Sequence, residues 1–369
     1  MTQPPCPHFG TCGGCALQHL PDATYIAEKT ALLAAALRRA GFSDNALSQP
    51  ARVGPGERRR MDLAVRRGRG GVVLGLHRQH STEVVDLITC FVLHPTLVEL
   101  MPPLREMLAR LQAFRRESSV IANLLDSGVD LLVRTDAPLA LSDRVALTKF
   151  ARSHRLPRIA WALGSDEPEP IAMLRPPTTS LSGITVVPPS GGFLQASTTG
   201  ETAIISAVVA ALPEKGRVAE LFAGCGAITF ALAQCRRVAA WEGDTASASA
   251  LRTAANHAGL AGRIEANQRD LARQPLQAKE LAGFAAVVLN PPFAGAAAQV
   301  AQIAAAKPPV VVYVSCNPAT LSRDARLLRQ SGFTLRSATP IDQFLWSTRL
   351  ESVCVFSSAP VARQREAGG

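Results

Sequence analysis

The chain has 369 residues, of which 47% are hydrophobic and 18% charged. This composition excludes global disorder, and the length exceeds what one compact domain usually needs. No apolar stretch reaches the roughly 18 residues of a membrane span. The opening Met1-Thr2-Gln3-Pro4-Pro5-Cys6 lacks the basic flank and apolar run of a signal peptide, so a cytoplasmic protein is expected. A formal charge of +10 points to a polyanionic partner, while aromatics at 5% argue against an extended base-stacking platform.

Three of the eight cysteines open the chain, in Cys6-Pro7-His8-Phe9-Gly10-Thr11-Cys12-Gly13-Gly14-Cys15. This segment is too rich in glycine for a helix or strand, but a glycine loop can wrap several thiolates around one centre. Cys90, after the strand-like run Val84 to Ile88, is the best placed fourth ligand. Disulfides are rare in a cytosolic chain. Four thiolates suit tetrahedral zinc or an iron–sulfur cluster, and spacing alone does not separate the two. His8 and His19 read as surface histidines.

The apolar spacing predicts an amphipathic helix from Asp22 to Ala40, ended by Gly41. Hairpin strands follow at Arg60 to Val65, Val72 to His77 and Thr82 to Ile88, with a turn at Gly68-Arg69-Gly70-Gly71. Arg58, Arg59, Arg60, Arg66, Arg67, Arg69 and Arg78 stand against only Glu57 and Asp62. Such a row either lines a phosphate track or is a solvated strand face. Helices are expected near 96–115 and 141–155 and a strand at Asp130 to Arg134. The division expected is a cysteine-rich loop and helix over 1–50, a β-rich central domain over 51–180 that carries this arginine row, and a further domain over 181–360. The last dozen residues read as a frayed end.

Beyond residue 200, apolar runs at Val218–Ala223, Val238–Trp241, Ala285–Leu289 and Val310–Val314 alternate with helical stretches, the pattern of a parallel, doubly wound sheet. Phe333–Thr339 and Ser352–Ser357 leave no room for a helix and are expected to pair antiparallel. Gly224 and Gly226 lie at the first strand–helix junction, where a ligand can approach the backbone. Glu242 ends the second strand, where a carboxylate can bind ribose hydroxyls, and Asp270 follows the third, near an adenine. The third glycine of a dinucleotide fingerprint is absent, so S-adenosylmethionine fits better than NAD. Asn290-Pro291-Pro292-Phe293 ends the fourth strand and Ser315-Cys316-Asn317-Pro318 the fifth. Cys316 then precedes a helix N-terminus, whose dipole favours thiolate. A cysteine nucleophile beside a methyl donor suits pyrimidine C5 methylation. The thiolate adds at C6, C5 takes the methyl group, and a base, here Glu351, strips the C5 proton.

These motifs, with Phe193-Leu194-Gln195 and Phe222-Ala223-Gly224-Cys225-Gly226, resemble the bacterial uracil-5 RNA methyltransferases over nearly the whole chain. The resemblance implies a C-terminal Rossmann-like class I methyltransferase sheet, mostly parallel with an antiparallel last strand. It also implies a [4Fe–4S] cluster on Cys6, Cys12, Cys15 and Cys90, Cys316 as nucleophile, and contacts from Gln195, Phe222, Glu242 and Asn290 to methyl donor or target base. Many members carry Asp-Pro-Pro-Arg or Asp-Pro-Ala-Arg where this chain has Asn290-Pro291-Pro292-Phe293. The branch acting on 23S rRNA without an N-terminal OB-like domain tolerates Asn there, so 23S rRNA is favoured over tRNA and a monomer is expected. The rival readings are an amino-group methyltransferase using the Asn-Pro-Pro-Phe turn and a non-catalytic RNA-binding protein.

Overall fold

A computed structural model describes residues 2–68 and 70–358. Arg69 of the expected turn, and the expected frayed end from residue 359 onward, lie outside the described residues. Two compact units form: Val53–Glu201 with the segment up to Tyr25 and Gln343–Thr348, and Thr202–Asp342 with Ile26–Arg52 and the segment from Arg349. The division therefore differs from three consecutive stretches, because the cysteine loop folds with the central sheet and most of the first helix with the catalytic sheet.

In chain order the elements begin with α1 (Asp22–Ala40), β1 (Ala51–Arg52), β2 (Arg60–Gly68), β3 (Gly71–His77), β4 (Val84–Asp86) and α2 (Pro95–Arg110). β5 (Glu117–Leu125), β6 (Gly128–Thr135), α3 (Leu141–Ser153), β7 (Arg158–Leu163) and β8 (Glu169–Met173) follow, then the short hairpin β9 (Thr179–Leu181) and β10 (Ile184–Val186) and α4 (Thr198–Ala211). The first unit is built on a seven-stranded sheet of order β4-β3-β2-β5-β6-β7-β8. Alternation along β2 turns Met61, Leu63 and Val65 inward, where they join Leu97, Met101, Leu104 and Leu108 of α2 in one core.

The arginine row is mostly structural rather than a track. Arg59 is buried and pairs with Glu201 at 2.8 Å. Arg60 donates to the Gly191 and Gly192 carbonyls and to Asn123 Oδ1, at 3.2, 2.8 and 3.0 Å. Arg67 reaches the carbonyls of Leu108, Ala109 and Leu111 at the end of α2, where unpaired helix carbonyls need donors. Arg66 pairs with Glu117 and Arg78 with Glu83.

The second unit continues with β11 (Val218–Leu221), α5 (Ala227–Ala233), β12 (Val238–Glu242), α6 (Thr245–His257), β13 (Ile264–Gln268), α7 (Ala278–Leu281) and β14 (Ala286–Leu289). It ends with α8 (Ala297–Ala306), β15 (Val310–Ser315), α9 (Pro318–Gln330), β16 (Thr334–Asp342) and β17 (Glu351–Ser357). Its sheet has the order β1-β16-β17-β15-β14-β11-β12-β13. β11 to β15 run parallel, and β17 lies antiparallel between β15 and β16. The central strands are buried throughout, as a sheet covered on both faces requires.

From α1, Leu33 and Leu37 enter the core of this sheet with Leu321, Ala325 and Leu328 of α9. One residue on the same stripe of α1 is a lysine. Lys29 is 1% exposed and pairs with Asp342 at 2.8 Å. Removing one partner of such a pair leaves a buried charge and costs about 3–5 kcal/mol.

Candidate active site

β11 and β14 are neighbours in the sheet although β12 and β13 intervene in sequence, so the chain changes winding direction between them. Crevices of this kind, at the carboxyl ends of the strands, bind ligands. The Ala223 amide donates to Trp241 O at 3.0 Å and the Asn290 amide to Leu221 O at 3.2 Å, which holds the β11 turn between the ends of β12 and β14. Phe222, Gly224 and Gly226 all have positive φ, at 64°, 56° and 98°.

The two glycines do different work. A Cβ on Gly226 would stand 2.4 Å from Leu251 Cδ1 and 2.8 Å from Phe230 Cε2, whereas one on Gly224 would meet nothing within 4 Å. Gly226 lets α5 pack; Gly224 leaves its backbone open.

Glu242 joins two loops. Its Oε2 accepts from the Gly224 amide at 2.7 Å and its Oε1 from the Asp244 amide at 2.8 Å. Each oxygen retains a lone pair for a hydroxyl donor. Asp244 caps α6 by accepting from Ser247 N at 2.7 Å. Asp270 lies close by, its Cα 3.4 Å from where a Gly243 Cβ would sit. Its Oδ1 accepts from the Ala272 and Arg273 amides at 3.0 and 3.2 Å. Beneath the turn, burial pushes the Glu220 carboxyl up to about 8, with the Glu242 charge adding and hydrogen bonding from Thr229 opposing. Sequence patterns do not single out Glu220, although an acid inside an otherwise apolar strand is a visible signal.

At the fifth strand, the Ser-Cys-Asn-Pro turn is pinned from both sides of its cysteine. Ser315 Oγ donates to Asn317 O at 3.1 Å and accepts from Asn317 N at 3.2 Å. Asn317 caps α9 through Oδ1 to Ala319 N at 3.0 Å, and its Nδ2 donates to Phe293 O at 2.9 Å. That bond ties this turn to the Asn-Pro-Pro-Phe turn. Behind them, buried Asp324 accepts from Tyr313 Oη at 2.7 Å and from Ala296 N at 2.9 Å.

The β15–β17 ladder ends on Ser315 with Ser352, which leaves Cys316 one residue beyond it on one strand and Glu351 one residue before it on the other. Glu351 is 3% exposed. Burial pushes the Cys316 thiol up to about 11, the Glu351 carboxylate adds to that, and the Arg349 cation opposes it. The expectation of a thiolate favoured by the helix dipole is therefore corrected: Cys316 stands just before the cap of α9, as expected, but burial beside a carboxylate outweighs the dipole there. Arg349, which no sequence motif marks, holds its guanidinium 5.5 Å from the Phe293 ring centre.

Phe222, Gly224, Gly226, Glu242, Asp270, Asn290, Cys316 and Glu351 thus all lie at the carboxyl-end rim of one sheet or beside it. Gln195 belongs to the other unit. There it is 7% exposed, its Oε1 accepts from Gln343 Nε2 at 3.0 Å, and its carbonyl accepts from Arg59 Nε at 3.1 Å.

The cysteine loop lies on the β3–β4 hairpin. Gly13 N donates to His77 O at 2.9 Å and Ile88 N to His8 Nε2 at 3.2 Å, so His8 organises backbone beside Cys90. The Cys12 sulfur accepts from Gly14 N at 3.4 Å. Burial pushes the Cys15 thiol up to about 12, and Cys90, Cys12 and Cys6 all add to the shift. Among the described residues, no group of three or more His, Cys, Asp or Glu side chains is arranged to hold a metal ion.

The profile of the family described as tRNA (Uracil-5-)-methyltransferase matches residues 188–358. An uncharacterised RNA methyltransferase of Brucella suis is 37% identical over 96% of this chain and 84% of its own length. The 23S rRNA (uracil(1939)-C(5))-methyltransferase RlmD of Bordetella parapertussis is 34% identical over 96% of this chain and 80% of its own. The chain belongs to the uracil-5 RNA methyltransferases. This methyltransferase also shares its fold with the tRNA (uracil-54, C5)-methyltransferase of Pyrococcus abyssi, solved with S-adenosyl-L-homocysteine. The TM-score is 0.72 at 20% identity, covering 95% of this chain and 86% of that one. No helix among the methyltransferase's described residues is long and apolar enough to cross a membrane.

The glycine pair gives a separable expectation for the methyltransferase. Gly226→Ala is expected to cost about 2–4 kcal/mol of stability through strain and overpacking. Gly224→Ala costs about 1–2 kcal/mol for its left-handed backbone but puts a methyl group into the open space over the turn, where a methyl donor is expected to approach. Thermal unfolding and calorimetric titration of S-adenosylmethionine separate the two. Unchanged cofactor affinity in Gly224→Ala contradicts the assignment.

Proposed function

We propose that this methyltransferase forms 5-methyluridine in 23S rRNA, with Cys316 as nucleophile and Glu351 as the base that removes the C5 proton. The observation that carries the reading is a half-buried thiol and a buried carboxylate just past the end of the β15–β17 ladder, close enough for the carboxylate to raise the thiol. Similarity to the Bordetella rRNA enzyme over almost the whole chain favours rRNA.

C5 of uracil is a weak nucleophile until a group adds at C6. The Cys316 sulfur forms a bond to C6, and the C5–C6 π pair moves into an enolate on the ring. S-adenosylmethionine, when bound, supplies the methyl group that C5 then takes. Glu351 removes the remaining C5 proton, the double bond reforms, and the C6–S bond breaks to return the thiolate. The Cys316 thiol is held well above neutral pH, so it gives its proton to water as the bond to C6 forms, which leaves Glu351 ionised to take the C5 proton. Arg349 opposes the carboxylate and favours the thiolate. Open backbone at Gly224 and the Glu242 carboxylate fit a nucleoside cofactor without pyrophosphate. Asp270 and Asn290 flank that position, and Gln195 is assigned to the same cofactor or the target base on the strength of the family resemblance.

Cys6, Cys12, Cys15 and Cys90 would hold a [4Fe–4S] cluster, whose contribution is to fix the cysteine loop. The donor set suits a cluster in its chemistry, if not in side-chain arrangement: Cys6, Cys12 and Cys90 are near enough to raise the Cys15 thiol, and an amide is directed at the Cys12 sulfur, as thiolate clusters use. Anaerobically purified protein is expected to contain iron and acid-labile sulfide in equal amounts, and Cys90→Ser to lose both. Zinc alone, or no metal, contradicts this. The substrate assignment is tested by incubating 23S rRNA and tRNA transcripts with methyl-labelled S-adenosylmethionine and digesting to nucleosides. Label in 5-methyluridine from the 23S transcript is expected; label from tRNA alone overturns the rRNA choice.

A further inference from the structure

Lys29 takes no part in the mechanism above, yet it is among the most deeply buried side chains of the second unit. On α1 it follows the stripe of Leu33 and Leu37, both fully buried. Its ammonium reaches both ends of the β16–β17 hairpin. Nζ lies 2.8 Å from Asp342 Oδ1 and donates to Arg349 O at 2.6 Å. Asp342 is the last residue of β16, and Arg349 stands two residues before Glu351, the first of β17. Ile341 pairs with Glu351 across that hairpin. The ammonium therefore clips together the two chain ends that flank the proposed base.

The connector from residue 343 to 350 leaves the ladder at this point, and the β16–β17 pairing stops at Ile341 and Glu351. Beyond that pair the buried cation joins the two strands, by an ion pair to one strand end and a charge-assisted hydrogen bond to the backbone of the other. The same carbonyl bond fixes the Arg349 backbone, whose guanidinium lies over Phe293. An ordinary hydrophobe would fill the volume at lower desolvation cost. It would not fix a carbonyl.

We infer that Lys29 is a positioning residue for Glu351, acting through Asp342 and the Arg349 carbonyl to hold the base over C5. The inference rests on the reading of Glu351 as the base. It assigns Lys29 to proton removal and not to methyl transfer, because the Ser315–Asn317 turn that carries the nucleophile is held by its own bonds.

That separation sets the test. When the base is misplaced, thiol addition and methylation still occur but the C6–S bond does not break, so a methylated protein–RNA adduct survives denaturing electrophoresis. The full-length protein is compared as wild type, Glu351→Gln, Lys29→Met and the double variant Lys29→Met/Asp342→Asn. The double variant removes both charges together and keeps the fold testable should Lys29→Met unfold. The substrates are a 23S rRNA transcript and methyl-labelled S-adenosylmethionine.

The expected result is label trapped in adduct for Glu351→Gln and for the Lys29 variants. In the Lys29 variants steady-state turnover should fall about 10- to 100-fold, part of a general base's usual contribution, while adduct forms in the first turnover at nearly the wild-type rate. Adduct in Glu351→Gln with wild-type turnover in the folded Lys29 variants overturns the role of Lys29. So does equal loss of adduct formation and turnover, the mark of a merely structural residue. Absence of adduct in Glu351→Gln overturns the assignment of the base, and with it this inference.

Discussion

Cys316→Ala is expected to abolish methyl transfer to RNA, a fall of about 10⁴-fold or more, as loss of a covalent nucleophile produces elsewhere. The size follows from the substrate, because without addition at C6 the C5 carbon has no electron pair to offer. Folding should be nearly untouched. Cys316 is only half-buried, and the turn around it is fixed by Ser315 and Asn317 through their own side chains. Thermal unfolding and affinity for S-adenosylmethionine therefore stay close to wild type while methylation disappears. A variant that methylates within tenfold of wild type removes Cys316 from the mechanism.

Glu351→Gln is expected to divide the reaction. Turnover falls about 10²- to 10⁴-fold, the range for loss of a general base, while methylated adduct accumulates. The same substitution also changes the nucleophile. The Glu351 carboxylate helps burial push the Cys316 thiol up to about 11, so removing its charge lowers that value. At any pH below 11 the variant thus holds more thiolate, and iodoacetamide alkylates Cys316 faster than in wild type. Arg349→Ala has the opposite sign: the cation favoured thiolate, its loss raises the thiol further, and alkylation slows. Alkylation rates against pH for the three proteins check both signs. Identical profiles contradict the electrostatic coupling.

Much of the scaffold is legible in the amino-acid sequence. The helix Asp22–Ala40 is found with those ends, and four apolar runs become the buried strands β11, β12, β14 and β15. Strand-end logic also finds the rim, since Glu242, Asn290 and Cys316 all follow or end parallel strands. The fate of charge is what sequence patterns miss. A row of arginines in sequence does not reveal whether each guanidinium meets water or carbonyl oxygen. Arg60 and Arg67 turn to backbone carbonyls, which only the tertiary fold supplies. The thiolate expectation errs similarly, because a helix N-terminus is local and visible whereas burial beside Glu351 depends on how β17 pairs. Lys29 carries a readable signal: a lysine on the stripe that holds Leu33 and Leu37 is an inward cation needing a partner. That partner, Asp342, lies near the other end of the chain, beyond the reach of any local pattern.

The central claim is covalent C5 chemistry through Cys316, and tritium at C5 reads it directly. A 23S rRNA transcript carrying tritium at uracil C5 is incubated with S-adenosylmethionine and either wild type or Cys316→Ala. Wild type should release tritium to water in step with methyl incorporation, and the variant should release none. Methyl groups entering the RNA without tritium release would contradict the claim and put the methyl group on another atom.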